Sequence, residues 1–341
     1  MALKRRDFLL ALPALSGVVA CAGSSNERTL AQNYHEIGAV GARPGVRSIV
    51  VFMPETKQTK EVWTGLGDEL GKEFKLVAVR VESADAVASI ARAIAQHQPV
   101  GIVLMNNPTV VAYGSYQRSA GLSHYPPAVV VMSSFLDRRP AGISNATGIS
   151  YEVPLITVVT NLRKLVETPV ERIGVVRRAP LHGFVERQIA LAKREQISVV
   201  EAGVSAEPNA SELKRALRDL KQRCDAIWIL NDDRLLTERL IADAWLPGLN
   251  ERPWVPAIVG AASLVAPELS FGTFAVLPDH TALGTQTANL LFDIAADDWT
   301  LAATGDVQLP LSITTSVDLV QARERFALKK DALEQIDHIL E

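Results

Sequence analysis

Short aliphatic and β-branched runs alternate along the chain with longer stretches whose apolar residues recur at helical spacing. In the first half of the chain this pattern predicts strands over 48–52, 75–79, 100–105 and 128–132, and helices over 59–71, 84–96 and 108–118. The strands are apolar at consecutive positions, which is typical of a parallel sheet that helices cover on both faces. The first series therefore predicts a doubly wound α/β lobe.

A second series of the same kind follows a short polar stretch over 145–151, which we interpret as a crossover between lobes. It predicts strands over 172–176, 198–200, 226–230 and 256–259, and helices over 155–166, 184–195, 210–221 and 234–245. The sequence thus predicts a second doubly wound sheet after the first.

The last part of the chain does not simply extend the second lobe. It predicts strands over 272–276 and 309–313, a helix over 282–295, and a helix over 317–340 that is broken near Leu328. Three crossings between lobes would place 47–148 and about 277–306 in lobe one, and 149–276 and about 307–341 in lobe two. We therefore expect an α/β protein of two doubly wound parallel-sheet lobes joined by a three-crossover hinge that opens and closes.

The N-terminus has the layout of a bacterial export signal. Lys4, Arg5 and Arg6 precede an apolar run over 8–20 that is too short to span a bilayer comfortably. The Arg5-Arg6 pair is similar to a twin-arginine signal, a route used by chains that fold before export. The sequence therefore predicts a protein that acts outside the cytoplasm.

A cysteine follows the apolar run directly. Val18-Val19-Ala20-Cys21 resembles a bacterial lipobox, so we expect a signal peptide over 1–21 and lipidation of Cys21. The alternative is a plain signal peptide with an incidental cysteine. Residues 22–46 are rich in small and polar residues and predict a flexible tether. Ala22 is not an acidic retention signal, which favours the outer membrane in a Gram-negative cell.

Composition narrows the possible partners. The chain has 341 residues and a net charge of −3, and removal of the first twenty residues, which carry +2, would leave −5. A mildly acidic domain argues against nucleic acid as a partner, because phosphate binding requires clustered lysine and arginine. Two cysteines and six scattered histidines show no ligand spacing for a metal. We expect no cofactor and a monomer.

Candidate ligand contacts lie where predicted strands end, because ligands of open α/β sheets bind beyond the carboxyl ends of the strands. In lobe one these candidates are Asn106, Asn107, Thr109, Ser133, Ser134, Phe135 and, just past the crossover, Tyr151. Asn107 fits a helix N-cap and Pro108 a first helical position, so a simple cap is the alternative to an anion site. The alternatives for the others are turn formation and hinge packing.

Lobe two offers a smaller set of candidates. Arg178, beside Arg177, ends a strand and could pair with a carboxylate or phosphate through its planar guanidinium group. Asn231 and Asp232 open a helix after another strand, where a carboxylate could receive a ligand amine. The alternatives are a surface arginine that holds a loop and an ordinary helix cap.

Several segments of the chain resemble those of a known family, and their order and spacing fit from about Ser48 to the C-terminus. The segments are 145–150 (NATGIS), 169–175 (PVERIGV), 224–229 (CDAIWI), 231–233 (NDD) and 279–284 (DHTALG). In this order and spacing they resemble the ABC-transporter substrate-binding family of type I periplasmic binding proteins, whose members include binders of aromatic amino acids. The turns at 106–109 and 177–180 differ from those usual in the family, so the resemblance does not carry over the identity of the ligand.

The resemblance implies a solute-binding lipoprotein that captures a small ligand, amino acid-like or otherwise polar or aromatic, for an ABC importer. The alternative is a ligand-sensing lipoprotein that signals to a membrane receptor. A structural envelope protein with a vestigial cleft is a third possibility. We do not expect an enzyme, because the sequence has no Gly-x-Ser-x-Gly elbow and no phosphate loop, and Asp232 and Asp233 are adjacent and would point apart.

Overall fold

The computed structural model describes residues 35–41, 45–81, 85–136, 142–301 and 307–341. The first lobe is built on strands β1 (His35–Val40), β2 (Ser48–Met53), β3 (Lys75–Arg80), β4 (Gly101–Met105), β5 (Ala128–Val131) and β6 (Ala146–Gly148). They form one sheet in the order β1-β3-β2-β4-β5-β6, in which β1 is antiparallel to β3 and the other pairs are parallel.

Helices cover both faces of this sheet. They are α1 (Lys57–Leu70), α2 (Ala86–His97), α3 (Asn107–Ala120) and, from later in the chain, α9 (His280–Ala296). Alternate residues of β2 point to opposite faces: Ile49 and Val51 belong to the core with α1 and α9, and Val50 and Phe52 to the core with α2 and α3. Burial on both sides explains why the strand has no polar alternation.

Two glycines let α1 and α9 pack closely. A Cβ on Gly65 would lie 2.1 Å from the carbonyl oxygen of Thr281, and one on Gly284 would lie 2.2 Å from that of Val62. Neither distance leaves room for a side chain, so the backbones of the two helices touch at both glycines. This contact fixes α9 to lobe one, although the helix follows a strand of lobe two.

The second lobe has its own sheet. Its strands are β7 (Arg172–Arg178), β8 (Ser198–Val204), β9 (Ala226–Trp228), β10 (Ala257–Val259), β11 (Phe274–Pro278), β12 (Ile313–Asp318) and β13 (His338–Leu340). The order is β13-β12-β11-β10-β9-β7-β8, and only the β11–β12 pair is antiparallel among these described strands.

Helices again lie on both faces. They are α4 (Leu155–Leu165), α5 (His182–Ala192), α6 (Ala210–Lys221), α7 (Glu238–Leu240), α8 (Leu246–Asn250) and α10 (Leu319–Arg325). A π-helical segment (Ile241–Trp245) joins α7 to α8. One core contains α4 and α5 with Val175 and Trp228, and the other contains α6 with Val176 and Ile227. The predicted fold class, two doubly wound α/β lobes, is confirmed.

The chain passes between the sheets three times: from β6 to α4, from β11 to α9, and from α9 to β12. The first and third passages lie side by side, since Ile149 and Gln308 form a parallel bridge and the N–H of Ser150 donates to the Gln308 carbonyl at 2.8 Å. The second passage joins them, because the N–H of Asp279 donates to the Ser312 carbonyl at 3.1 Å.

Several predictions about local structure are wrong, among them the following three. Residues 35–40 of the predicted tether form β1, because they pair along the edge strand β3. The stretch 145–151 is not purely a crossover, because Ala146–Gly148 pairs with β5 as β6. The predicted strand 309–313 and helix 317–340 are replaced by β12, α10, a 3-10 turn (Ala332–Gln335) and β13.

The predicted signal peptide, the lipidation site Cys21 and the first part of the predicted tether lie outside the described residues. Within the described part of the chain, no helix is both long and apolar enough to cross a membrane.

Candidate ligand-binding cleft

The carboxyl ends of β4 and β5 carry the polar candidates of lobe one. Asn106, with φ of 91°, is the N-cap of α3, and its Oδ1 accepts the N–H of Thr109 at 3.0 Å. The prediction that Asn107 is the cap and Pro108 the first helical residue is wrong by one position. Thr109 is 1 % exposed, and its hydroxyl lies 3.0 Å from the carbonyl oxygens of Met105 and Asn106. The Thr109 side chain therefore points toward the backbone at the start of α3 and not toward the cleft.

The structure brings Asn107 and Ser133 together. Asn107 opens α3, Ser133 follows β5, and the Ser133 hydroxyl is hydrogen-bonded to Oδ1 of Asn107. This bond ties the two neighbouring strand ends of lobe one to each other. The NH2 group of the Asn107 side chain, which can donate hydrogen bonds, is left at the carboxyl edge of the sheet.

A glutamate that the sequence analysis did not single out organises the next turn. Glu152 is 6 % exposed, and its Oε2 accepts the backbone N–H of Phe135 at 2.8 Å. The Ser134 hydroxyl bonds to the same carboxylate. Phe135 has φ of 57°, in the left-handed region that non-glycine residues rarely adopt. The Glu152 carboxylate therefore fixes a strained turn of lobe one to the first crossover.

The other oxygen of this carboxylate has no partner. Oε1 of Glu152 is buried and makes no hydrogen bond within the described part of the chain. Burial raises the pKa of Glu152 to about 7, and the hydrogen bonds from Phe135 and Ser134 oppose that rise. A carboxyl group in this state gains free energy from any donor that reaches Oε1.

An aromatic contact crosses from lobe one to lobe two beside this glutamate. The Phe135 ring meets the Phe184 ring of α5 edge-on, with centroids 5.1 Å apart and planes at 72°. Phe184 in turn lies 6.0 Å from the Trp228 ring at the end of β9. Since Phe135 packs against the core of lobe two, it holds the two lobes in contact.

Tyr151 belongs to a polar chain at the hinge. Its hydroxyl lies 3.0 Å from Nε2 of His280, and the two rings stack with planes 7° apart. Nδ1 of His280 lies 3.0 Å from Oε2 of Glu61 on α1. Burial raises the pKa of Tyr151, as do the nearby carboxylates of Glu152 and Glu61. The chain connects the first crossover, the start of α9 and lobe one.

In lobe two, the two charged candidates bind each other. Nε and Nη2 of Arg178 donate to the two carboxylate oxygens of Asp232, both at 2.7 Å. Asp232 is 1 % exposed and also accepts the N–H of Arg234 at 3.0 Å. The hydrogen bond to Asp232 raises the pKa of Arg178. Arg177 is paired as well, with Glu201. Both of these guanidinium groups therefore have carboxylate partners.

A recess lies at the carboxyl ends of β9 and β10, against the first crossover. Its walls are formed by Tyr151, Glu152, Val153, Val158, Trp228, Ile229, Leu230, Asn231, Val259, Gly260 and Val276. Asn231 lies against Gly260, where a Cβ would be 2.4 Å from the amide nitrogen. With the lobes in contact, the recess has room for about one water molecule. A larger ligand requires the lobes to part.

The predicted site residues thus fall into three groups. Tyr151 and Asn231 line the recess, while Ser134 and Phe135 surround the glutamate that lines it. Asn107 and Ser133 form a pair at the edge of lobe one. Asn106 and Thr109 cap a helix, and Arg178 and Asp232 bind each other. Among the described residues, no group of three or more His, Cys, Asp or Glu side chains is placed to hold a metal ion.

Solved structures share this architecture over most of the chain. The ligand-free, open structure of a substrate-binding protein with adhesive properties from Clostridium difficile matches with a TM-score of 0.61 at 15% identity, covering 86% of this chain and 99% of that one. An ABC domain in complex with L-tryptophan from Streptococcus pneumonia matches with a TM-score of 0.54 at 16% identity, covering 86% and 100%.

An arabinose-binding protein from Geobacillus stearothermophilus matches with a TM-score of 0.51 at 13% identity, covering 82% of this chain and 99% of that one. No known protein-family model matches the sequence, and no curated protein matches it. At these identities the likeness establishes the fold: the chain has the two-lobed architecture of type I periplasmic binding proteins.

Proposed function

We propose that this protein is an extracytoplasmic solute-binding protein that captures a small ligand between its lobes and presents it to an ABC importer. The observation that carries the proposal is the unpartnered, buried carboxylate oxygen of Glu152 in a recess at the junction of the two lobes. Proteins of this fold include an ABC domain bound to L-tryptophan and an arabinose-binding protein. Both support a small organic solute as the ligand.

The mechanism requires no bond to be made or broken. Ligand enters while the lobes are apart, contacts the crossover and both sets of strand ends, and raises the population of the closed arrangement. The Phe135–Phe184 contact, 5.1 Å between centroids, would hold the lobes together in that closed arrangement. A membrane partner then recognises the closed surface, and the importer takes up the solute.

The predicted N-terminal export signal supports an extracytoplasmic location. A basic segment, an apolar run and Cys21 in a lipobox-like context would place the folded part outside the cytoplasm, tethered by lipid. The lipid anchor would hold at the cell envelope a monomer whose described part contains no membrane-spanning helix. Outer-membrane sorting is part of the same proposal.

A sensing lipoprotein is the second candidate function. The turns at 177–180 and 106–109 differ from those usual in the importer family, and in this structure Arg177 and Arg178 are both paired with carboxylates of the same lobe. The same closure would then be recognised by a membrane receptor. Uptake of labelled ligand by cells with and without the gene separates the two roles, because only an importer component is needed for uptake.

The experiment that tests solute binding is thermal unfolding of the protein against amino acids, sugars, nucleosides, purines, amines and small anions. A ligand that binds only the folded state raises the melting temperature with concentration. We expect at least one dose-dependent rise, which Asn107→Ala reduces and Asn161→Ala, on α4 but not among the residues that line the recess, does not. A flat response across all classes would contradict the proposal.

A further inference from the structure

Glu152 combines features that a purely structural role does not require. Glu152 is the one carboxylate among the residues that line the recess. Burial, and not an ion pair, has the largest effect on the pKa of this group. Among the described residues, no salt bridge joins it to a lysine, arginine or histidine. A buried carboxylate without a cation is unfavourable, so folded proteins retain one mainly where a ligand or a reaction needs it.

The two oxygens of this carboxylate differ in their surroundings. Oε2 holds the turn of lobe one through the Phe135 N–H at 2.8 Å, which accounts for the structural part of the role. Oε1 has no donor at all within the described residues. A glutamine would hold the turn equally well through its carbonyl oxygen, so the turn does not explain why an ionisable group stands here.

The walls of the recess that Glu152 lines indicate what kind of ligand could reach its carboxylate. Eight of the eleven lining residues are apolar side chains or glycine, including Trp228. No lysine or arginine is among them. Arg178, the predicted partner for a ligand carboxylate, already binds both oxygens of Asp232 at 2.7 Å. The recess therefore offers an apolar surface and one anion, and no cation for an acidic group.

We infer that Glu152 is the anchor for a protonated amine, and that the ligand is an organic ammonium whose apolar body lies against Trp228. The inference rests on the proposed function, because it assigns the ligand class of the same cleft. The ammonium would donate a charge-assisted hydrogen bond to Oε1. Because the other residues that line the recess are uncharged, this is the strongest hydrogen bond that a ligand could form there. A carboxyl group on the ligand is not needed for recognition.

Closure of the lobes and recognition of the amine would then be linked through Glu152. An ammonium on Oε1 favours the ionised form of Glu152, and that form is also the better acceptor for the Phe135 N–H. The Phe135 ring contacts Phe184 of lobe two. Ligand charge therefore strengthens the bond that holds the interlobe contact, which couples amine binding to the closed arrangement.

The test uses probes that share one apolar body and differ in charge: tryptamine, L-tryptophan and indole-3-propionate. Isothermal titration calorimetry would compare the unmodified protein, Glu152→Gln and the exposed control Glu171→Gln. We expect both amines to bind the unmodified protein and the control roughly ten- to a hundred-fold more tightly than the propionate. In Glu152→Gln that preference disappears. Phenethylamine with phenylpropionate, and isoamylamine with isocaproate, extend the comparison to smaller bodies.

Several results would overturn the inference. They are equal amine affinity in Glu152→Gln and the unmodified protein, tighter binding of the acids, and no binding of any amine. If amines fail while a sugar or other solute raises the melting temperature, the solute-binding function stands and only the amine anchor is wrong. If every solute class fails, both are wrong. An unchanged circular dichroism spectrum and cooperative unfolding of Glu152→Gln verify that the variant is folded.

Discussion

Replacing Glu152 by glutamine should remove a pH dependence of stability whose direction is opposite to that of a carboxylate held in an ion pair. Burial raises the pKa of this carboxyl from 4.5 to about 7 in the folded chain. Between these values the folded state binds the proton more strongly than the unfolded state does. The free energy of unfolding of the unmodified protein therefore falls as pH rises through this window.

The magnitude follows from the two pKa values. Ionisation of this group between about pH 5 and about pH 8 lowers the free energy of unfolding by roughly 2 to 3 kcal/mol, since each pKa unit corresponds to about 1.4 kcal/mol. Glutamine has no such ionisation. The fixed cost of burying its amide, which lacks an acceptor at the position of Oε1, is the same at both pH values and cancels in the comparison.

Urea unfolding followed by circular dichroism at about pH 5 and about pH 8 measures this difference. Tyr151 packs beside the glutamate, but burial raises its pKa, so it stays neutral over this range. His280 and Glu61 lie beyond Tyr151 and are present in both proteins. We expect Glu152→Gln to gain stability relative to the unmodified protein as pH rises. A gain below about 1 kcal/mol, or a loss, would refute the argument.

Three further predictions test the packing. Asp232→Ala leaves the half-buried Arg178 without its bidentate partner and should lower the free energy of unfolding by about 3 kcal/mol in urea titration. Gly284→Ala places a Cβ 2.2 Å from the Val62 carbonyl oxygen and should lower it by about 2 kcal/mol. Burial raises the pKa of Cys224 to about 11, so iodoacetamide near neutral pH should modify this thiol only in urea, as peptide mass spectrometry would show.

Matched variants separate these effects from general damage. Asp243→Asn removes an exposed ion pair, 3.7 Å from Arg239, and should change stability by less than about 0.5 kcal/mol. Gly67→Ala meets only a side-chain carbon at 3.8 Å and should be neutral or stabilising. A loss from Gly67→Ala equal to that from Gly284→Ala, or rapid modification of native Cys224, would contradict the packing described here.

The regular part of the fold was predictable because its strands are buried on both faces. The predicted strand 75–79 is β3, Lys75–Arg80, and the predicted helix 210–221 is α6, Ala210–Lys221. Continuous apolar runs between amphipathic helices arise from the covered parallel sheet itself, so the pattern and the architecture have the same cause.

The ends of the chain were not predictable in the same way. β13, His338–Leu340, is largely exposed and pairs with β12 at the edge of the sheet. β1, His35–Val40, is an exposed edge strand too. Such short strands are set by the partner they meet and not by their own apolar period, so a local pattern did not distinguish them from a helix or a tether.

The candidate site likewise has a part that was predictable from the sequence and a part that was not. Polar residues at strand ends were predictable from chain order, but their partners were not, since Arg178 and Asp232 are separated by 54 positions. Glu152 stands alone between Tyr151 and Val153, with no motif around it. The available signal was a single carboxylate followed by an apolar segment just after the crossover, and only the fold shows that this carboxylate is buried.

In the proposed function, a small solute closes the two lobes on each other. The most direct test is the distance between a spin label at Leu122, which is 54% exposed in lobe one, and one at Val320, which is 56% exposed in lobe two. Double electron–electron resonance on the doubly labelled protein would be recorded with and without a solute that raises its melting temperature. We expect the solute to convert a broad distance distribution into a single narrow population. An unchanged distribution at saturating solute would contradict it.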